Sequence, residues 1–193
     1  MIDNLCTHSS YSRKIMLESS MMYDKNSIEK SYAVMKEFYE VVKNDDNKNI
    51  VQSLQFKLCN LKDINHTISR LATSVVVDDI ELYEVKSLAL LSADVKNILE
   101  KISLDKIIKI PNLDEVVKIL DPDGLRIATF YIYDSYSEEL ASLRKKLKEK
   151  DVYQEEIYNE VMRIEDEIRT ELSAKLKPYS EAMTSALNAL ADV

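Results

Sequence analysis

Two histidines, two cysteines and a single glycine are all that this chain offers to most catalytic chemistries. His8 and His66 each lack a glutamate three residues earlier, so the paired Glu-x-x-His helices of a di-iron carboxylate site cannot be assembled. No HExxH zinc helix, no G-x-S-x-G nucleophile elbow and no glycine-rich phosphate loop occurs. With Gly124 the only glycine, there is too little conformational freedom to wrap backbone amides around a phosphate. Asp63 and His66 stand at helical spacing for two metal ligands, but a lone pair supplies half of a tetrahedral site and suits a surface or capping role better. The expectation is a non-catalytic chain with no catalytic residue, metal ligand or cofactor of its own. Eleven tyrosines could stack on bases, yet most fall where helix packing would use them.

What remains is charge. Arg144, Lys145, Lys146, Lys148 and Lys150 form a local basic cluster in a chain with 34 acidic and 26 basic residues and a formal net charge of −8. Such overall acidity repels nucleic acid, so any contact with DNA has to use a patch of this kind. Two alternatives stand: a solvated helix C-terminus, where cations complement the macrodipole, or a tip that touches DNA phosphates.

The elements that must position these residues are helical. One Gly, three Pro and no Trp leave little punctuation for a many-stranded sheet, and abundant Leu, Ile, Glu and Lys favour an all-α fold. Cys6 and Cys59 are too few for a disulfide framework, the opening MIDNLCTHSS lacks a signal-peptide apolar core, and no run approaches eighteen consecutive apolar residues. A cytoplasmic chain is expected.

Asp121-Pro122-Asp123-Gly124 divides the chain: proline presets φ, Asp123 can bond its own backbone, and glycine accepts the positive φ that follows. Before it lies a helical core over 1–120. A first helix spans 5–20, and a second starts behind Asn26 with Glu29 completing a capping box. Ile28, Tyr32, Met35, Tyr39 and Val42 recur at the period of one buried helical face. The polar stretch 44–49 reads as a loop. Leu54, Leu58 and Leu61, then Ile64, Ile68 and Leu71 behind an Asp63 cap, continue the pattern, and Asp78 with Glu81 opens a helix carrying Val85, Leu88, Val95, Leu99 and Ile102. Pro111 breaks it, and Asn112 with Glu115 starts a short helix that ends at the glycine turn.

Residues 121–135 read as a turn and an extended connector, and Ser135 with Glu138 caps the helices of 136–193. Leu140, Leu143 and Leu147 form one seam; Ile157, Val161, Ile164 and Ile168 form another in the same phase. Basic residues up to Lys150 followed by Asp151, Glu155 and Glu156 favour an antiparallel hairpin turning near Lys150–Val152 over one unbroken helix. Pro178 kinks or restarts the returning helix, which runs through Ala186, Leu187 and Leu190 to the last residue with no cap. That pattern leads us to expect a longer protein.

The order of these features resembles the core and lever region of MutS-type DNA mismatch-repair ATPases. Residues 6–17 (CTHSSYSRKIML) look like the opening of that region, with Tyr11 where the family has glycine and Ile15 for its leucine. Residues 61–71 (LKDINHTISRL) are similar to the family's L-x-D-h-E-R-h-x-x-R-L helix, h being apolar, with Asn65 and His66 for the Glu-Arg pair. The Asp121–Gly124 turn followed by Tyr136 to Arg144 resembles the glycine turn before the ascending lever helix, and residues 187–193 (LNALADV) the helix that leads into the ATPase domain. The resemblance covers nearly the whole chain. It implies an elongated two-helix lever arm, an ATPase domain after residue 193 that binds ATP and magnesium, contact with double-stranded DNA, and a homodimer. Between Leu147 and Ile157 there is no room for the clamp domain that family members carry at the lever tip. The resemblance is thus to a reduced form, acting on mismatches or on recombination intermediates.

Overall fold

The computed structural model describes residues 7, 9–148 and 154–193, so His8, Cys6, Lys150 and the hairpin turn expected near Lys150–Val152 lie outside the described residues. Among the described residues there is no strand, and the fold is all-α. The α-helices in chain order are α1 (Ser10–Glu18), α2 (Lys25–Lys43), α3 (Lys48–Leu58), α4 (Asn65–Ala72), α5 (Asp79–Lys101), α6 (Asp114–Leu120), α7 (Glu138–Leu147), α8 (Gln154–Leu176) and α9 (Ser180–Ala191). They pack as two units, one of residues 1–63, 91–112 and 185–193, the other of 64–90 and 113–184.

In the first unit, Leu54 and Leu58 of α3, Val95 and Leu99 of the second half of α5, and Leu187 and Leu190 of α9 are buried at the spacing of inward helical faces. Tyr11 is buried as well, its hydroxyl donating to Asn188 Oδ1 at 2.8 Å. Ion pairs at the rim join Lys14 to Asp63 at 2.7 Å and Lys57 to Asp94 at 2.5 Å. α2 departs from expectation. It has no buried residue, and of its apolar seam Tyr32, Met35, Tyr39 and Val42 are exposed. The helix turns another arc, with Ile28, Phe38 and Val41 half-buried, toward its own unit.

In the second unit, Leu82 and Val85 of α5, Val116 and Leu120 of α6, Leu140 of α7 and Ile164, Ile168 and Leu172 of α8 make the core. α7 folds back on α8, since Arg144 and Glu165 are joined at 2.8 Å, whereas 21 residues of continuous helix would separate them by about 31 Å. Pro178 sits in a 3₁₀ turn, Lys177–Tyr179, after which α9 restarts. Gly124 adopts φ of +65°, the left-handed geometry that the turn requires, and its amide donates to the Asp121 carbonyl at 2.9 Å.

Several caps differ from expectation. α2 is capped by Asp24, whose carboxylate accepts from Ser27 N–H at 2.8 Å, two residues before the expected Asn26. Asp63 is drawn to Lys14, leaving Ile64 at the start of α4 with no side-chain cap. Leu113 rather than Asn112 stands at the N-cap of α6. Residues 134–136 form a 3₁₀ turn with the Tyr136 hydroxyl tied to the Ile119 carbonyl at 2.8 Å, so Ser137 rather than Ser135 caps α7. The 44–49 stretch is not all loop: Asp45–Asn47 is a 3₁₀ turn and α3 begins at Lys48. The Asp78–Glu81 pair does form a capping box, with reciprocal bonds of 2.8 and 3.0 Å.

Candidate functional site

The polar chemistry of the second unit converges on the connector between α6 and α7. Lys86 lies mid-way along α5 in the run LYEVKSLALL, on the same inward arc as Leu82, Val85 and Ala89. Its side chain and that of Asp121 have no solvent exposure, and they meet at 2.9 Å. The ammonium also donates to the Tyr133 hydroxyl at 2.9 Å and to the Thr129 carbonyl at 3.1 Å, so all three of its protons are used. The other Asp121 oxygen accepts from the Arg126 amide at 2.7 Å. Burial alone would push the Asp121 carboxyl up, but the bond from Lys86, the Arg126 amide and the Lys86 charge together hold it below its ordinary value. A buried charge survives only when paired and saturated in this way. The ends of the connector are thereby fixed to α5.

Arg144 performs the corresponding task for α7. Its guanidinium donates to the Ile132 carbonyl at 2.7 Å, to Asp134 at 2.6 Å and to Glu165 on α8 at 2.8 Å. Burial acts to lower its pKa, and the two carboxylates outweigh that effect and raise it. On α8, Arg169 continues the series, 2.8 Å from Asp79 at the start of α5 and 3.6 Å from Glu165. Ion pairs therefore tie the connector to α5 at one end and to α7 at the other, α7 to α8, and α8 to the start of α5.

Of the expected DNA-contacting cluster, Arg144 is committed to these internal partners, while Lys145 and Lys146 on the last turn of α7 and Lys148 at its C-cap are exposed and form no ion pair among the described residues. Lys150 lies outside the described residues. An open cleft of about 600 Å³ adjoins the cluster, lined by Tyr131, Tyr133, Asp134, Arg144 and Lys148 among others. Its walls carry both signs of charge, Asp123 and Asp134 facing Lys148, so it is not a dedicated anion pocket. The Asp63–His66 pair does not converge: Asp63 is bonded to Lys14, and His66 is exposed. Among the described residues no group of three or more His, Cys, Asp or Glu side chains is placed to hold a metal ion, and no helix is long and apolar enough to cross a membrane.

Lys86 and its pairing with Asp121 escaped the sequence reading, although a signal exists. A lysine whose neighbours at −4, −1 and +3 are Leu82, Val85 and Ala89 sits on the buried face of its own helix and requires a partner. Comparison with known proteins yields no matching family model, and neither curated proteins nor solved structures give a significant match.

Proposed function

We propose that the chain is the non-catalytic core and lever region of a MutS-like DNA mismatch-repair ATPase, linking nucleotide state in a domain beyond residue 193 to the position of α7, α8 and bound DNA. The observation that carries this is that the α7–α8 fold-back follows the Asp121–Gly124 turn and its connector, in the order the motif resemblance implies. A pair of packed helices whose root is clamped by Lys86, Asp121 and Arg144 shifts as a unit instead of bending, which is what a mechanical coupler needs. ATP and magnesium belong to the domain beyond residue 193, and no residue of this chain is assigned to them. DNA contact falls to Lys145, Lys146, Lys148 and Lys150, with Arg144 holding the helix that bears them. The test is the coding sequence past Val193: a Gly-x-x-x-x-Gly-Lys-Ser/Thr loop is expected, and its absence from roughly the next hundred residues would sink the proposal.

The exposed stripe on α2 favours a second reading, a helical protein-interaction scaffold. Here the chain acts alone through its surfaces. The two separate on DNA-stimulated ATPase activity of the longest natural product of the gene: Arg144→Ala should uncouple that stimulation if the first holds, whereas a scaffold has none to lose.

A further inference from the structure

α2 carries an apolar face that its own unit leaves in solvent. Tyr32, Met35, Tyr39 and Val42 are 66, 63, 58 and 51% exposed. Their spacing of +3, +4, +3 is that of the a and d positions of a heptad repeat, the seam by which one helix packs on another. We propose that this face docks a second copy of the chain, with the two α2 helices packed antiparallel about a two-fold axis. The contact is independent of the mismatch-repair reading.

Charge selects the occupant and the direction. The residues flanking the seam on one side are Glu29, Lys36 and Lys43. In an antiparallel pair with Met35 of one copy over Tyr39 of the other, Glu29 of each copy meets Lys43 of the other, and this happens twice by symmetry. A parallel pair would instead bring Asp24 of one copy beside Glu29 of the other, two like charges. Within one copy neither flank has a strong claim on it: Glu29 reaches only Lys25, at 3.7 Å with both side chains largely exposed, and the Lys43 ammonium rests 5.6 Å from the centre of the Tyr39 ring. Lys36 falls near the axis opposite itself, which weakens the contact. Methionine and tyrosine make such a face adaptable and rich in contact area. A seam of about two heptads belongs to the small class of interface, below about 1,200 Å² in total, so association should be reversible and depend on concentration.

Sedimentation velocity over a dilution series tests the proposal. The chain is expected to pass from monomer to dimer as concentration rises, and Met35→Glu, at an exposed site that leaves the monomer's helical circular dichroism intact, to weaken association at least about tenfold. Glu29→Lys and Lys43→Glu should each weaken self-association. Mixing the two variants should restore it, because each contact then pairs opposite charges, and the mixed dimer should be at least about tenfold tighter than either variant with itself. A chain that stays monomeric throughout overturns the proposal. So does a dimer indifferent to Met35→Glu, or one with no gain on mixing, since another face, another segment or another protein then covers the stripe.

Discussion

A fully buried lysine is the most consequential single residue in the second unit, because its ammonium has lost all contact with water and depends wholly on Asp121, Tyr133 and the Thr129 carbonyl. Removing one partner of such a pair strands the other. Lys86→Met should cost about 3–5 kcal/mol in urea denaturation. Lys86→Met with Asp121→Asn should fall about 2–3 kcal/mol short of the sum of the single effects, since the double change leaves no uncompensated charge. The pH dependence follows from Asp121, whose folded pKa lies below the ordinary 3.8. Between that folded value and the unfolded one, the unfolded chain binds more protons, so stability is fully present above about pH 4 and is lost as pH falls through the folded pKa. Stability measured from pH 5 downward should therefore drop more steeply in the parent than in the double variant; equal slopes would remove Asp121 from the acid response. The residue scale is also where sequence is least informative. Periodicity places Lys86 on an inward face, but its three acceptors stand 35 to 47 residues further on, and no local pattern names them.

At the scale of elements, most helices declare themselves and their ends do not. α5 follows its apolar spacing from an Asp78–Glu81 box to Lys101, and the glycine turn closes α6 as its turn chemistry requires. The expected caps stand one or two positions from the observed ones at α2, α4, α6 and α7, where several Ser, Asn and Asp residues compete near each start, and at α4 and α7 a distant partner decides among them. Lys14 decides for Asp63, and the Tyr136 anchor decides for Ser137. The seam of α2 was legible as amphipathicity, while what covers it was not: a 3.6-residue period records that one face is apolar, and is silent about whether that face meets its own chain or another. For the hairpin, spin labels belong at two exposed sites, Glu139 on α7 and Thr170 on α8. One continuous helix would hold those sites about 46 Å apart, and the fold-back should bring them within half that distance in a dipolar spectrum. A separation near the longer figure would refute the α7–α8 packing.

For the whole molecule, net charge opposes the basic cluster. With Arg144 engaged by Asp134 and Glu165, the proposed DNA contact would fall to Lys145, Lys146, Lys148 and, outside the described residues, Lys150. Four contacts give a salt slope no steeper than about −3.6 on duplex DNA, and affinity in the non-specific range of roughly 10⁻⁴ to 10⁻⁶ M at physiological salt. A salt titration of the chain beside a variant with all four lysines changed to Gln is the measurement. The variant should lose most of the slope and show no change in base preference, because phosphate contacts position a protein without reading sequence. Equal slopes would make the cluster a solvated helix end. The all-α class was open to composition alone, since one glycine and three prolines beside abundant Leu, Ile, Glu and Lys leave little punctuation for a many-stranded sheet. How its helices gather into two units was not, because segments far apart in sequence meet in each.

Lys86 also provides a chemical clock. Acylating reagents attack only a free amine, and among the described residues this is the one lysine whose side chain is closed to solvent. The other amines of the chain should be capped within the first moments of exposure to such a reagent, while Lys86 waits for the connector to lift. Its rate of modification, followed by mass spectrometry of a single peptide, would count those openings one by one in a folded population, without denaturant and without any label introduced by mutation.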